Sequence, residues 1–307
     1  MKASYFYITV LSVLVLFTSC QKSEEEVQDP AMSINEEAIL NHLKVLASDE
    51  FKGRMPFTEG ETKTLEYLEN QFRTMGLQPG NGDSYFQDVP MVELNPTLEG
   101  NMIVKGENGE LELSPGSEYV ALGRQVKERI ELKDAPLVFA GYGIDAPEYN
   151  WNDYEGLDVE GKIVLVRVND PGFGSDDSTF FKGNTMTYYG RWTYKYEEAA
   201  RKGAAGVIVI HSTIPAGYPW GVVENGWSGP QLNLENETGN AERCEVEGWI
   251  GIDNARKIFE LGGVEMSVMD NAKKPGFKAV PLNVNVSVAY TNTIKRSKSK
   301  NVIATNP

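Results

Sequence analysis

The sequence predicts an α/β fold, a mixture of helices and strands in which a β-rich region carries a strand–helix–strand unit. Three observations predict it. Short apolar, largely β-branched runs at Pro136–Ala140, Lys162–Val168 and Gly206–Ile210 are bounded by Gly, Pro, Asn and His, as strands are. A helical pattern from Trp192 to Lys202, stopped by Gly203, lies between the last two of these runs. Two amphipathic stretches near the amino end place Ile39, Leu43 and Leu46, then Leu65, Leu68, Phe72 and Met75, at helical spacing. The runs at 162–168 and 206–210 lack polar alternation, so both of their faces should be covered. With the helix between them they form a β–α–β unit, whose crossover should be right-handed.

The 307 residues allow two domains and a sizeable core. Twenty-nine Lys and Arg against 44 Asp and Glu leave a net charge of -15, which argues against nucleic acid and an anionic membrane surface as partners. Residues 1–19 have the form of an export signal, with Lys2 at the positive end and an apolar stretch from Tyr5 to Phe17 too short to span a bilayer. Phe17-Thr-Ser-Cys20 resembles the lipobox of bacterial lipoproteins, which implies lipidation at Cys20. Residues 20–32 form an acidic tether. These features lead to the expectation of an exported outer-membrane lipoprotein facing the periplasm or the cell surface, touching the membrane through its lipid alone. Cys244 is then left single and is expected to be a small buried residue.

Order is expected from Ser33. Ser33-Ile-Asn-Glu36 and Thr58-Glu-Gly-Glu61 both fit the capping-box pattern, and Gly76 is placed to stop the second helix. Strands are expected at Met102–Lys105 and Glu118–Leu122, with Gly106-Glu-Asn-Gly109 as a hairpin turn. Asp253 suits a helix N-cap, with Gly262 ending that helix. Leu282, Val284, Val286, Val288 and Tyr290 alternate with polar residues, as in a half-buried strand, and Lys295–Lys300 is expected to be a solvated basic turn.

Leu46-Ala-Ser-Asp49, Gly53-Arg54, Thr58-Glu-Gly60 and Gly76-Leu77 together resemble the amino-terminal part of the di-zinc aminopeptidases of metallopeptidase family twenty-eight. Phe57 stands where that pattern has glycine. Gly141-Tyr-Gly-Ile144, Gly161–Val166 and Glu197–His211 resemble the protease-associated domain inserted in such enzymes. Thr187–Tyr196 and Pro215–Trp220 are similar to a lipoprotein branch of the same family. Asn301–Pro307 resembles the first core strand on return to the peptidase domain. The resemblance implies an incomplete zinc-exopeptidase α/β domain, of two helices plus first strands, interrupted by a β-rich protease-associated domain. Its parts are residues 33–100 for the front of the peptidase domain, 101–290 for the insertion with flanking strands, and 291–307 for the return strand.

The same resemblance implies two zinc ions and peptide substrates for a complete enzyme. It assigns no metal ligand, general base or other catalytic residue within residues 1–307, so the chain by itself is expected to be a catalytically inactive fragment. His42 and His211 lack a partner histidine at i+4 and read as structural. In the resembled family the insertion overhangs the peptidase cleft, so the resemblance makes Arg54, Thr58, Tyr188, Tyr189, Arg191, Trp192 and Trp220 the candidates for a substrate-cleft wall, and loops rich in aromatic rings make binding surfaces in general. Several of these rings would equally serve as core. Gly141-Tyr-Gly143 is a weak phosphate-loop pattern, and Asp170–Asp177 is either a solvated acidic loop or a set of oxygen ligands for Ca²⁺. The alternative to the peptidase reading is a non-enzymatic surface lipoprotein module that binds peptide or glycan through the protease-associated domain.

Overall fold

The computed structural model describes residues 34–306. The export signal, Cys20, the tether and Ser33 lie outside the described residues. The chain divides into two compact units, Met1–Gln71 and Phe72–Pro307.

In the first unit, α1 spans Glu36–Leu46. Its N-cap is Asn35 rather than Ser33, because the Asn35 side chain accepts from the Glu37 amide at 2.8 Å. The apolar face that the spacing predicted forms, yet Ile39 and Leu43 are exposed. A 3₁₀ turn at Asp49–Arg54 follows, with Lys52, Gly53 and Arg54 all at positive φ. The helix α2, Glu59–Thr74, crosses the division between the units. Its capping box is only half made. Glu61 reaches back to the Phe57 amide at 2.6 Å, while the Thr58 hydroxyl donates to the Met55 carbonyl. Phe57 has φ 66°, the left-handed region that glycine adopts freely.

The second unit begins as α2 ends. Gly76, at φ 76°, stops the helix, and the Leu77 amide bonds to the Phe72 carbonyl five residues back in the C-cap pattern. Strands β1 (Gln78–Pro79), β2 (Phe86–Leu98), β3 (Met102–Gly106), β4 (Gly109–Leu113), β5 (Tyr119–Leu122), β6 (Arg129–Phe139), β7 (Asp145–Ala146), β8 (Trp151–Asn152) and β9 (Ile163–Arg167) follow. Then come α3 (Trp192–Arg201), β10 (Gly206–His211), α4 (Thr213–Ala216), α5 (Trp220–Gly226), β11 (Gln231–Leu234) and β12 (Val246–Gly251). The chain closes with α6 (Ile252–Leu261), α7 (Ser267–Asn271), β13 (Val280–Val302) and β14 (Ala304–Thr305).

Ten of these strands form one mixed sheet, ordered β11-β2-β13-β6-β9-β10-β12-β5, with the β3–β4 hairpin joined to β13. Strands β6, β9, β10 and β12 run parallel, and the other pairings are antiparallel. The missing polar alternation in β9 and β10 has the predicted cause. Ile163, Leu165, Ile208 and Ile210 pack into one core, while Val164, Val166, Val207 and Val209 pack into another across the sheet. Helix α6 sends Ile258 and Phe259 into the first core, and α3 sends Tyr196 and Ala199 into the second.

Two expectations at the carboxyl end are corrected. Lys295–Lys300 is not a turn, because β13 continues through it to Val302, paired along its length with β2. Acids on β2 and just past β11 hold three of the basic side chains there: Lys300 meets Asp88 at 2.8 Å, Lys298 meets Asp88 at 3.7 Å, and Arg296 meets Glu235 at 2.6 Å. The strand expected from Asn301 is split. Asn301 and Val302 end β13, and Ala304–Thr305 pairs separately with Pro79 and Gln78. Asp253 is likewise not a cap. Gly251 caps α6, and Asp253 lies inside its first turn, paired with Arg256.

Candidate functional site

The second unit holds an apolar pocket of about 270 Å³ where α3, α5 and β5 approach one another. Its wall is Leu122, Arg124, Trp192, Tyr218, Val222, Val223, Gly226, Trp227 and Gln231. Three aromatic side chains dominate it, and each is placed by a different element. Trp192 opens α3, Tyr218 precedes α5, and Trp227 caps the carboxyl end of α5. The two tryptophans meet edge to face at 5.0 Å, and Trp227 continues against Tyr196 and the wholly buried Trp249. The Trp227 indole N–H is buried and has no acceptor among the described residues. An apolar, aromatic wall of this kind suits an apolar side chain.

The one cation on this wall is held from behind. Arg124 donates to Glu247 Oε2 at 3.1 Å and to Asn233 Oδ1 at 3.0 Å. Glu247 is fully buried, and its other oxygen accepts from Arg243 at 2.7 Å. Two arginines thus flank one buried carboxylate, and Arg124 presents a fixed charge rather than a mobile one.

The run Thr187–Tyr196 does not form a single aromatic surface. Helix α3 sends Trp192 and Tyr196 to the pocket side, while Tyr194 joins the opposite core. Tyr188 and Tyr189 go with Tyr194, at ring distances of 5.7 and 5.0 Å. The Tyr189 hydroxyl donates to Glu148 at 2.6 Å, and that of the exposed Tyr188 donates to Glu197 at 2.8 Å. Arg191 is exposed and caps α3 without a side-chain bond. Trp220 donates to the Gly116 carbonyl at 2.9 Å and lies 5.7 Å from the His211 ring. Among the expected wall residues of this unit, only Trp192 lines the pocket. In the first unit, Arg54 is exposed and bonded to the Leu46 carbonyl, and Thr58 is committed to Met55.

The other polar candidates are structural. In the Gly141-Tyr-Gly143 turn, the Tyr142 and Ile144 amides both donate to Asp153 Oδ2 at 3.1 Å, so a protein carboxylate occupies the place a phosphate would take. Asp170 is buried rather than solvated. It accepts from the Gly172 amide and from both the amide and hydroxyl of Thr187, which fastens the acidic loop. His211 bonds the Tyr218 carbonyl at 3.0 Å, and burial lowers its pKa, so it is neutral near pH 7. His42 bonds the Tyr67 hydroxyl. Cys244 lies under the sheet, and burial pushes its thiol up to about 12. Among the described residues, no three His, Cys, Asp or Glu side chains come together as metal ligands.

One buried group escaped the sequence reading. Lys195 is wholly buried, its ammonium has no hydrogen-bond partner among the described residues, and it lies 5.8 Å from the centre of the Tyr142 ring. Burial drives its pKa down to about 7, opposed by the charges of Asp153 and Asp170. The signal was present, since Trp192, Lys195, Tyr196 and Ala199 share the i, i+3, i+4, i+7 stripe.

Against this geometry, a family model of the protease-associated (PA) domain matches residues 133–248. The match covers β9, β10, α3, parts of β6 and β12, and most of the aromatic pocket. No curated protein matches the chain.

Proposed function

We propose that this chain is the non-catalytic, peptide-handling part of an exported zinc aminopeptidase, anchored through a lipid on Cys20. The observation that carries the proposal is an apolar, tryptophan-walled pocket set largely within a PA domain, a module found in proteases. Such a pocket would receive an apolar side chain of a peptide. Leu46–Asp49, Gly53-Arg54 and Thr58–Gly60 add support through their resemblance to di-zinc aminopeptidases, as does the positive φ at Phe57, where that pattern has glycine. No residue of this chain is assigned as zinc ligand, nucleophile or general base.

A surface lipoprotein module that binds peptide or glycan is the second reading. The exposed Val222 beside the tryptophans favours it, since aromatic and aliphatic rims serve recognition as well as catalysis. The two readings part in a panel of unblocked peptides and oligosaccharides presented to the chain. Saturable binding of peptides with apolar side chains, without their hydrolysis by this chain, is the expected result. Selective binding of oligosaccharides would overturn the peptide assignment. Incorporation of labelled palmitate, abolished by Cys20→Ser, is expected for the anchor; unlabelled wild-type protein would overturn that part.

A further inference from the structure

A second cavity, of about 470 Å³, lies away from the aromatic pocket at the carboxyl ends of β9 and β10. The topology explains why it opens there. Strand β10 exits into α4 and α5, whose Ala216 and Val223 pack on one face of the sheet. Its parallel neighbour β12 exits into α6, whose Ile258 and Phe259 pack on the other face. Adjacent parallel strands whose connections leave to opposite faces create a crevice beyond their carboxyl ends, the place where open α/β sheets bind ligands.

The wall carries charges of both signs. Arg167, the last residue of β9, is half-buried and lies 5.1 Å from the centre of the Tyr142 ring. One of its N–H groups donates to the Met269 carbonyl at 2.7 Å, and its remaining donors have no protein acceptor among the described residues. Asp270, exposed on the same cavity, has no ion-pair partner among the described residues. Ser212 and Ser267 add hydroxyls, and Ile252 and Met266 add apolar surface. The second cation, Arg256, is already paired with Asp253.

We infer that this cavity binds a small zwitterion, an amino acid or short peptide with an apolar side chain. Arg167 takes its carboxylate, Asp270 takes its ammonium, and the serines bond its remaining polar atoms. A simple anion would leave Asp270 opposed to it, and a simple cation would face Arg167. The site is independent of the aromatic pocket and of the peptidase reading.

Calorimetric titration of the chain with L-leucine, the dipeptide Leu-Leu, N-acetyl-L-leucine, L-leucinamide and inorganic phosphate tests the inference. Saturable binding of leucine or of the dipeptide is expected, and the stronger of the two reports whether the ligand is a free amino acid or a peptide. Removing either charge, by acetylation or amidation, should weaken binding by about tenfold or more, the usual cost of a lost charge-assisted bond. Arg167→Gln should abolish binding. Since Arg167 also anchors Met269, the exposed Asp270→Asn variant provides the second reading: it should weaken leucine without weakening N-acetyl-leucine, whose lone carboxylate Asp270 opposes. Phosphate binding as tightly as leucine, N-acetyl-leucine matching leucine, or no saturable binding by the folded chain would each overturn the inference.

Discussion

Trp192 and Trp227 meet edge to face with ring centroids 5.0 Å apart, one opening α3 and the other capping α5. This contact shapes the aromatic pocket and ties two separate crossover segments of the sheet together. Trp227→Ala removes packing against Trp192, Tyr196 and Trp249 at once and should destabilise the fold by about 3 kcal/mol, as large aromatic truncations do. A double-mutant cycle with Trp192→Ala, read by urea unfolding, should give a coupling of about 1 kcal/mol. Additive losses would mean that the two rings are only neighbours.

Glu247 sits between Arg124 and Arg243 with no exposed surface. Glu247→Gln keeps the shape but leaves two guanidinium groups facing a neutral amide. A loss of about 3–5 kcal/mol in chemical denaturation is expected, because breaking a buried ion pair exposes the desolvation cost of what remains.

Lys195 makes stability depend on pH, with a definite sign. Its folded pKa, near 7, lies below the ordinary lysine value of 10.5, so between those limits the unfolded chain binds the proton that the folded chain lacks. Stability should therefore rise with pH through this window, by at most about 1.4 kcal/mol per pH unit. Below the folded pKa both states hold the lysine proton and its contribution vanishes, while Asp153, raised by burial to about 6, adds an opposite slope there. Melting curves at pH 7 and 9 should show the rise in the wild type and lose it in Lys195→Met. The upper limit matters, since burial pushes the Cys244 thiol up to about 12 and adds an opposite slope above its ordinary value of 9.0.

Phe57 holds a left-handed conformation at φ 66° that favours glycine. Comparing Phe57→Gly with Phe57→Ala removes the ring in both and isolates the backbone. Glycine should be the more stable of the two by about 1 kcal/mol, and equal melting points would remove the strain from the account.

The strand–helix–strand unit was legible because its signals are local: uninterrupted apolar runs, a helical stripe and glycine stops. The carboxyl end was not. Lys295–Lys300 reads as a solvated turn until Asp88, far away in the chain, is found beside Lys298 and Lys300. Two N-cap assignments missed by two residues, because Asn35 and Gly251 take the role expected of Ser33 and Asp253, while Gly76 and Gly262 end their helices as expected. In the aromatic pocket the rings were visible by composition, but their division between two faces was set by α3, which separates Trp192 and Tyr196 from Tyr194. Arg124 could not be found locally, since Glu247 and Asn233, which hold it, come from strands much later in the sequence.

The measurement that tests the central claim most directly is a tryptophan-fluorescence titration of the chain with an unblocked peptide bearing an apolar side chain. Saturable quenching is expected, and Val222→Lys, which places a charge at the exposed rim of the pocket without touching the core, should weaken it by about tenfold or more. Binding unchanged in a folded Val222→Lys variant, or no binding by the wild type, would contradict the assignment of this pocket to peptide recognition.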